Sequence, residues 1–177
     1  MGIRTVRTEG DECLRKVCKP VKSVSLRTRI LIEDMFDTMY ESGGVGLAAP
    51  QIGVLKRIVV MDTDDNQHVL INPQILEVSG EQTGYEGCLS IPGKSGIVIR
   101  PDYVKVKALN ERGEEYVLEG EGLLARCICH ECDHLDGILY SDKAEGGLIN
   151  NEDLPEDEEE ELYEDAYEEF TEEEIHK

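Results

Sequence analysis

Gly122-Leu-Leu-Ala-Arg-Cys-Ile-Cys-His130-Glu131-Cys-Asp-His134-Leu135 decides how the rest of the chain is read. A helix is expected from Gly122 to Leu135, with Gly137 standing just past its end as a stop signal. Residues four apart on a helix share a face, so His130 and His134 can offer nitrogens to one ion. Glu131 lies about 100° around the helix from His130. It can therefore reach a water beside that ion without being forced to ligate it. Two histidines, a carboxylate for proton transfer and an open coordination position make the pattern of a catalytic metal site.

The sequence around this helix indicates an α+β fold. A short helix capped by Asp11 ends before Pro20. A longer one runs from Ser25 to about Ser42, with Leu26, Ile30, Met35 and Met39 at helical spacings and Gly43-Gly44 closing it. Arg57 to Met61 reads as a buried strand, and His68 to Val78 as one or two strands broken near Asn72-Pro73. Ile97 to Arg100 and Val104 to Ala108 alternate, and a turn at Asn110 to Gly113 leads into Tyr116 to Leu118. Helix, then several strands, then helix argues against an alternating parallel architecture. The expected picture is antiparallel strands around a central HExxH-bearing helix, with an N-terminal helix and a C-terminal acidic helix.

The charge is uneven. The 177 residues carry 39 acidic and 18 basic side chains, a formal net charge of -21. Fifteen of those acids and one base lie from Glu152 onward, so this segment holds -14 and the body only -7. Such a balance argues against binding to phosphate backbones or anionic membranes, both of which need basic surface. Residues 1–150 are expected to form one catalytic domain. Residues 151–177 read as an acidic tail, with Leu162, Tyr163, Ala166, Tyr167 and Phe170 forming a helical stripe. No apolar run approaches the ~18 residues of a membrane span, and no secretory signal is evident. Six cysteines without an export signal read as reduced thiols in a cytoplasmic setting.

Two histidines leave a third ligand to find. Cys127 shares the face of His130. Cys129 and Cys132 form a CxxC, but Cys129 points away from the histidines, and a structural zinc site would have to borrow Cys13 and Cys18. Cys88 sits in Glu86-Gly-Cys-Leu-Ser90 ahead of a Pro92-Gly93 turn, and its thiolate would be a strong soft ligand. A third segment, Gly44-Val-Gly-Leu-Ala-Ala-Pro-Gln51, has little side-chain bulk. It lacks the Lys-Ser/Thr of a P-loop and follows a helix rather than a strand.

Taken together, Gly44 to Gln51, Glu86 to Ser90 and His130 to His134 resemble the three signature motifs of the peptide deformylase family, in order and with family-like spacing. The resemblance covers roughly residues 1 to 150. It implies an α+β fold with Cys88, His130 and His134 as ligands of one divalent metal and a water in the fourth place. Iron(II) is the implied native ion, with zinc, nickel or cobalt able to occupy the site. The implied reaction is hydrolysis of the formyl group from N-formylmethionyl nascent chains by metal-bound hydroxide. Glu131 would act as general acid/base, while Gln51 and the Leu89 N–H would stabilise the oxyanion. Val45, Gly46, Glu86 and Cys127 are expected to contact the substrate, and Glu86 is a candidate partner for Arg100. Two positions depart from the family pattern. Cys129 stands where Gln is usual, and Arg126 where an apolar residue is common. Transient ribosome association is an expected partnership, without direct nucleic-acid binding by the acidic tail. The rival readings are an HExxH metallopeptidase, for which His176 would be the downstream ligand, and a zinc-binding interaction module.

Overall fold

The computed structural model describes residues 2–155. The tail stripe from Leu162 to Phe170, the C-terminal acidic helix and His176 lie outside the described residues. Strand β1 (Gly46–Ala48) begins a five-stranded antiparallel sheet that continues through β2 (Ile58–Asp62), β3 (Gln67–Ser79), β6 (Tyr103–Leu109) and β7 (Glu115–Glu121). A second, three-stranded antiparallel sheet holds β4 (Gln82–Cys88), β5 (Ile91–Arg100) and β8 (Glu145–Asn150).

Two helices sandwich the larger sheet. Helix α1 (Leu26–Glu41) starts at a capping box, in which the Ser25 hydroxyl accepts from the Thr28 amide and Thr28 returns the bond to Ser25. It ends where Gly43 adopts φ 70°, a conformation that costs glycine little. Strand β2 then divides the interior by alternation. Ile58 and Val60 pack with Leu31, Ile32, Met35, Phe36 and Met39 of α1. Val59 and Met61 join Leu70, Val104 and Val106 against Ala125, Ile128, Cys129 and Leu135 of α2 (Gly122–Leu135). A smaller core of Leu14, Ile91, Val98, Leu139 and Tyr140 supports the second sheet.

The α+β class, the antiparallel pairing and the bounds of α2 match the reading of the sequence. The stripe expected on α1 is half wrong. Leu26 and Ile30 are 72% and 47% exposed, and the buried face runs through Leu31, Ile32 and Phe36 instead. The expected break near Asn72-Pro73 is a bulge inside one strand, with Asn72 at φ 52° and its carboxamide bonded to both backbone groups of Val21. Packing also continues past residue 150. The Asn151 side chain accepts from the Ser95 hydroxyl at 2.6 Å, and Leu154 is buried. Among the described residues, no helix is long and apolar enough to cross a membrane.

Candidate metal centre and its cleft

Helix α2 is fixed at its C-terminal end by Gly137, at φ 74°, where a Cβ would stand 2.6 Å from the Arg15 carbonyl oxygen. No other residue type fits there without moving backbone. With the helix so held, His130 and His134 lie one turn apart with ring centroids 5.0 Å from each other. Cys88, at the end of β4, completes the group. One donor atom from each of Cys88, His130 and His134 lies within 4.8 Å of the others. The Cys88 sulfur is 3.4 Å from His134 Nε2.

The environment tunes the side chains of this group. His130 Nδ1 donates to Glu86 Oε1 at 2.6 Å, which leaves Nε2 for an ion. Its ring also stacks on Tyr140, with centroids 5.9 Å apart. Burial, followed by the neighbouring His130, holds the His134 pKa well below the usual imidazole value and keeps the ring neutral. Glu86 is buried. Burial alone would raise its pKa, but hydrogen bonds from His130 and Arg100 hold it well below the usual carboxylate range. A soft thiol and two imidazoles beside an open cleft form a donor set suited to a divalent transition metal. Two buried atoms here, His134 Nδ1 and Glu131 Oε2, have no hydrogen-bond partner among the described residues.

Glu131 stands beside the group rather than in it. Its Oε1 is 4.0 Å from His130 Nε2, and burial pushes its carboxyl up to about 7. Gly46 on β1 leaves the room for it, since a Cβ there would meet Glu131 Oε1 at 2.7 Å and the Cys127 sulfur at 2.8 Å. Gln51 is 1% exposed. Its Oε1 accepts from the Ala48 amide at 2.9 Å, which turns Nε2 toward Ser90 Oγ (3.1 Å) and the Cys88 sulfur (3.6 Å). A cleft of about 610 Å³ opens over these groups, with Val45, Gly46, Leu89 and Cys127 in its walls.

Glu86, expected to contact substrate, borders the cleft, and both its oxygens are also engaged by Arg100, Arg126 and His130. The expected Glu86–Arg100 pair is present at 2.9 Å. Cys127 borders the cleft and is not among the three ligating atoms. Cys129 and Cys132 lie in the apolar cluster against the larger sheet, and Cys13 and Cys18 do not join them in a metal-ligating group among the described residues. Sequence reasoning missed the contacts of Arg126 and the Arg100–Asp133 pair. These join residues 40 and 33 positions apart and leave no local pattern.

An HExxH helix that meets a cysteine from a separate sheet, with a buried glutamate alongside, makes a group on an α+β frame that could hold one metal ion. Residues 3–147 match the polypeptide deformylase family. A peptide deformylase of Agathobacter rectalis is 60% identical over 148 residues, covering 84% of this chain and 94% of its own. The crystal structure of a peptide deformylase from Legionella pneumophila superposes with a TM-score of 0.79 at 47% identity, covering 82% of this chain and 88% of the other. The Thermotoga maritima enzyme gives 0.80 at 42%, covering 82% and 99%. The chain belongs to the polypeptide deformylase family.

Proposed function

We propose that this chain hydrolyses the N-formyl group of formylmethionyl nascent polypeptides, with Cys88, His130 and His134 holding one divalent metal and Glu131 moving the proton. Water and the formamide yield formate and a free amino terminus. A bound ion supplies Lewis acidity, acidifying a water and polarising the formyl carbonyl. Glu131 accepts the proton from the attacking water and delivers it to the leaving amine. Its burial and its partnerless Oε2 suit a group that must exchange a proton rather than hold an ion pair. Gln51 Nε2 and the Leu89 N–H donate to the negative charge that develops on the formyl oxygen. Val45, Gly46, Cys127 and the His130 ring border the space for the methionine side chain. Glu86 fixes the tautomer of His130 by accepting from Nδ1.

The observation that carries this reading is the meeting of Cys88 with His130 and His134 beside a buried Glu131 whose Oε2 has no hydrogen-bond partner among the described residues. Iron(II) is the ion that the resemblance to the family implies, while thiolate plus imidazole ligation would accept zinc, nickel or cobalt as well. Six free thiols fit a reducing cytoplasm, where nascent chains emerge and a transient encounter with ribosomes would occur. The test is formate release from formyl-Met peptides by protein purified without air, with metal analysis of the same sample. Formate with about one metal per chain is expected. Cleavage inside an unformylated peptide, without formate, would refute deformylation.

A further inference from the structure

We propose that Arg126 is a positioning residue, which holds the Glu86 carboxylate, and through it the His130 imidazole, in register with Cys88. The inference rests on reading Cys88, His130 and His134 as the metal ligands. Those ligands belong to two separate elements, strand β4 and helix α2, and Glu86 is where the two are joined. Two residues before Cys88 on β4, its carboxylate crosses to His130 Nδ1 on α2.

Arg100 grips that carboxylate with two nitrogens, Nε to Oε2 and Nη2 to Oε1, each at 2.9 Å. Its third nitrogen, Nη1, goes to Asp133 at 2.7 Å. One guanidinium therefore spans two carboxylates, of which Asp133 also has Lys143 Nζ at 2.9 Å while Glu86 is the more deeply buried. Leaving a buried carboxylate short of countercharge is costly. Arg126 brings Glu86 itself a second guanidinium beside that of Arg100. Its Nη1 meets Glu86 Oε2 at 2.6 Å and also donates to the Val98 carbonyl at 3.1 Å, while Nη2 reaches the Gln82 carbonyl at 3.5 Å. Arg126 sits on α2 one turn before His130, yet it bonds to both strands of the hairpin that carries Cys88. It is 8% exposed, so these bonds are made away from bulk water. Part of its side chain also borders the cleft, so a role as a plain wall must be separated from a positioning role.

The separating measurement uses the cobalt-loaded enzyme, whose visible absorption reports ligand geometry. In Arg126→Met the cobalt bands should shift, and release of cobalt to a chelator should quicken by about 10-fold or more, the usual size for losing a partner of a ligand. The rate constant kcat should fall in parallel while KM stays near the wild-type value. Arg126→Lys, which keeps the charge, should bring the bands and the release rate back toward wild type. In a Glu86→Gln background, Arg126→Met should add little further change. Wild-type cobalt bands and release rate in Arg126→Met, with only KM raised, would overturn the proposal and leave a pocket wall. So would an equal loss in both backgrounds. If Arg126→Met does not fold, Arg126→Gln is read by the same bands, with the same two outcomes. A wild-type protein that neither binds cobalt nor releases formate would instead sink the metalloenzyme reading itself.

Discussion

Ala125, Ile128, Cys129, Cys132 and Leu135 of α2 face the larger sheet, Arg126, His130, Glu131 and His134 face the cleft and the smaller sheet, and Cys127 stands at the boundary of both. The first face is apolar and packed, and its contribution follows buried area, roughly 25 cal/mol per Å². The second face consists mostly of groups that water would hydrate well, kept buried by one another. One helix thus anchors itself on one side and is thereby free to hold ionisable groups in place on the other. The difference predicts that substitutions on the two faces should fail in different ways, one losing stability and the other losing rate or metal.

The largest effect should come from Glu131→Gln. A positioned general acid/base contributes about 10²–10⁴-fold, and deformylation should fall by that factor with the bound metal and the melting temperature nearly unchanged. Retained turnover would remove Glu131 from proton transfer and weaken the contrast at its strongest point. Gln51→Ala should reduce kcat by about 10²–10³-fold, the usual result of deleting one oxyanion donor. Steady-state kinetics that reported only a higher KM would make Gln51 a binding residue. On the opposite face, Ile128→Ala should cost about 2–5 kcal/mol in urea unfolding, because it empties a site with no exposed surface. Per folded molecule its kcat should not change, and a lost metal would show that the faces are not separable. The smallest effect belongs to Cys129→Ala, at about 1 kcal/mol of stability with full metal content. Metal loss there would bring the CxxC back as a ligand pair.

The legibility of the fold followed the same division. Helix α2 was readable because all its signals are local: the HExxH spacing, the glycine beyond its end and the strands before it. Strand β1 was missed because three residues, Gly46, Leu47 and Ala48, are too few to show a period. Strand β4 was missed because Gln82, Glu86 and Cys88 follow the needs of the site rather than an apolar alternation. In α1 the expected stripe begins at Leu26, which lies in the first turn and is exposed. The trio of Cys88, His130 and His134 was legible only through the resemblance that Glu86 to Ser90 carries, since no spacing rule joins Cys88 to His130. The Arg126 contacts had no local signal. An arginine four positions before a histidine looks like any surface residue until the fold brings β4 beneath it.

Cys88 and His134 are 46 positions apart in the chain, and they meet only after the smaller sheet has docked on α2. An unfolded chain offers an ion scattered donors, whereas the folded one offers three at once. An ion that prefers the folded form stabilises it by mass action, about 2.7 kcal/mol when its free concentration is a hundred times Kd. Metal supply should therefore set the protein's lifetime as well as its turnover, and a chelator should lower the melting temperature before any residue is changed.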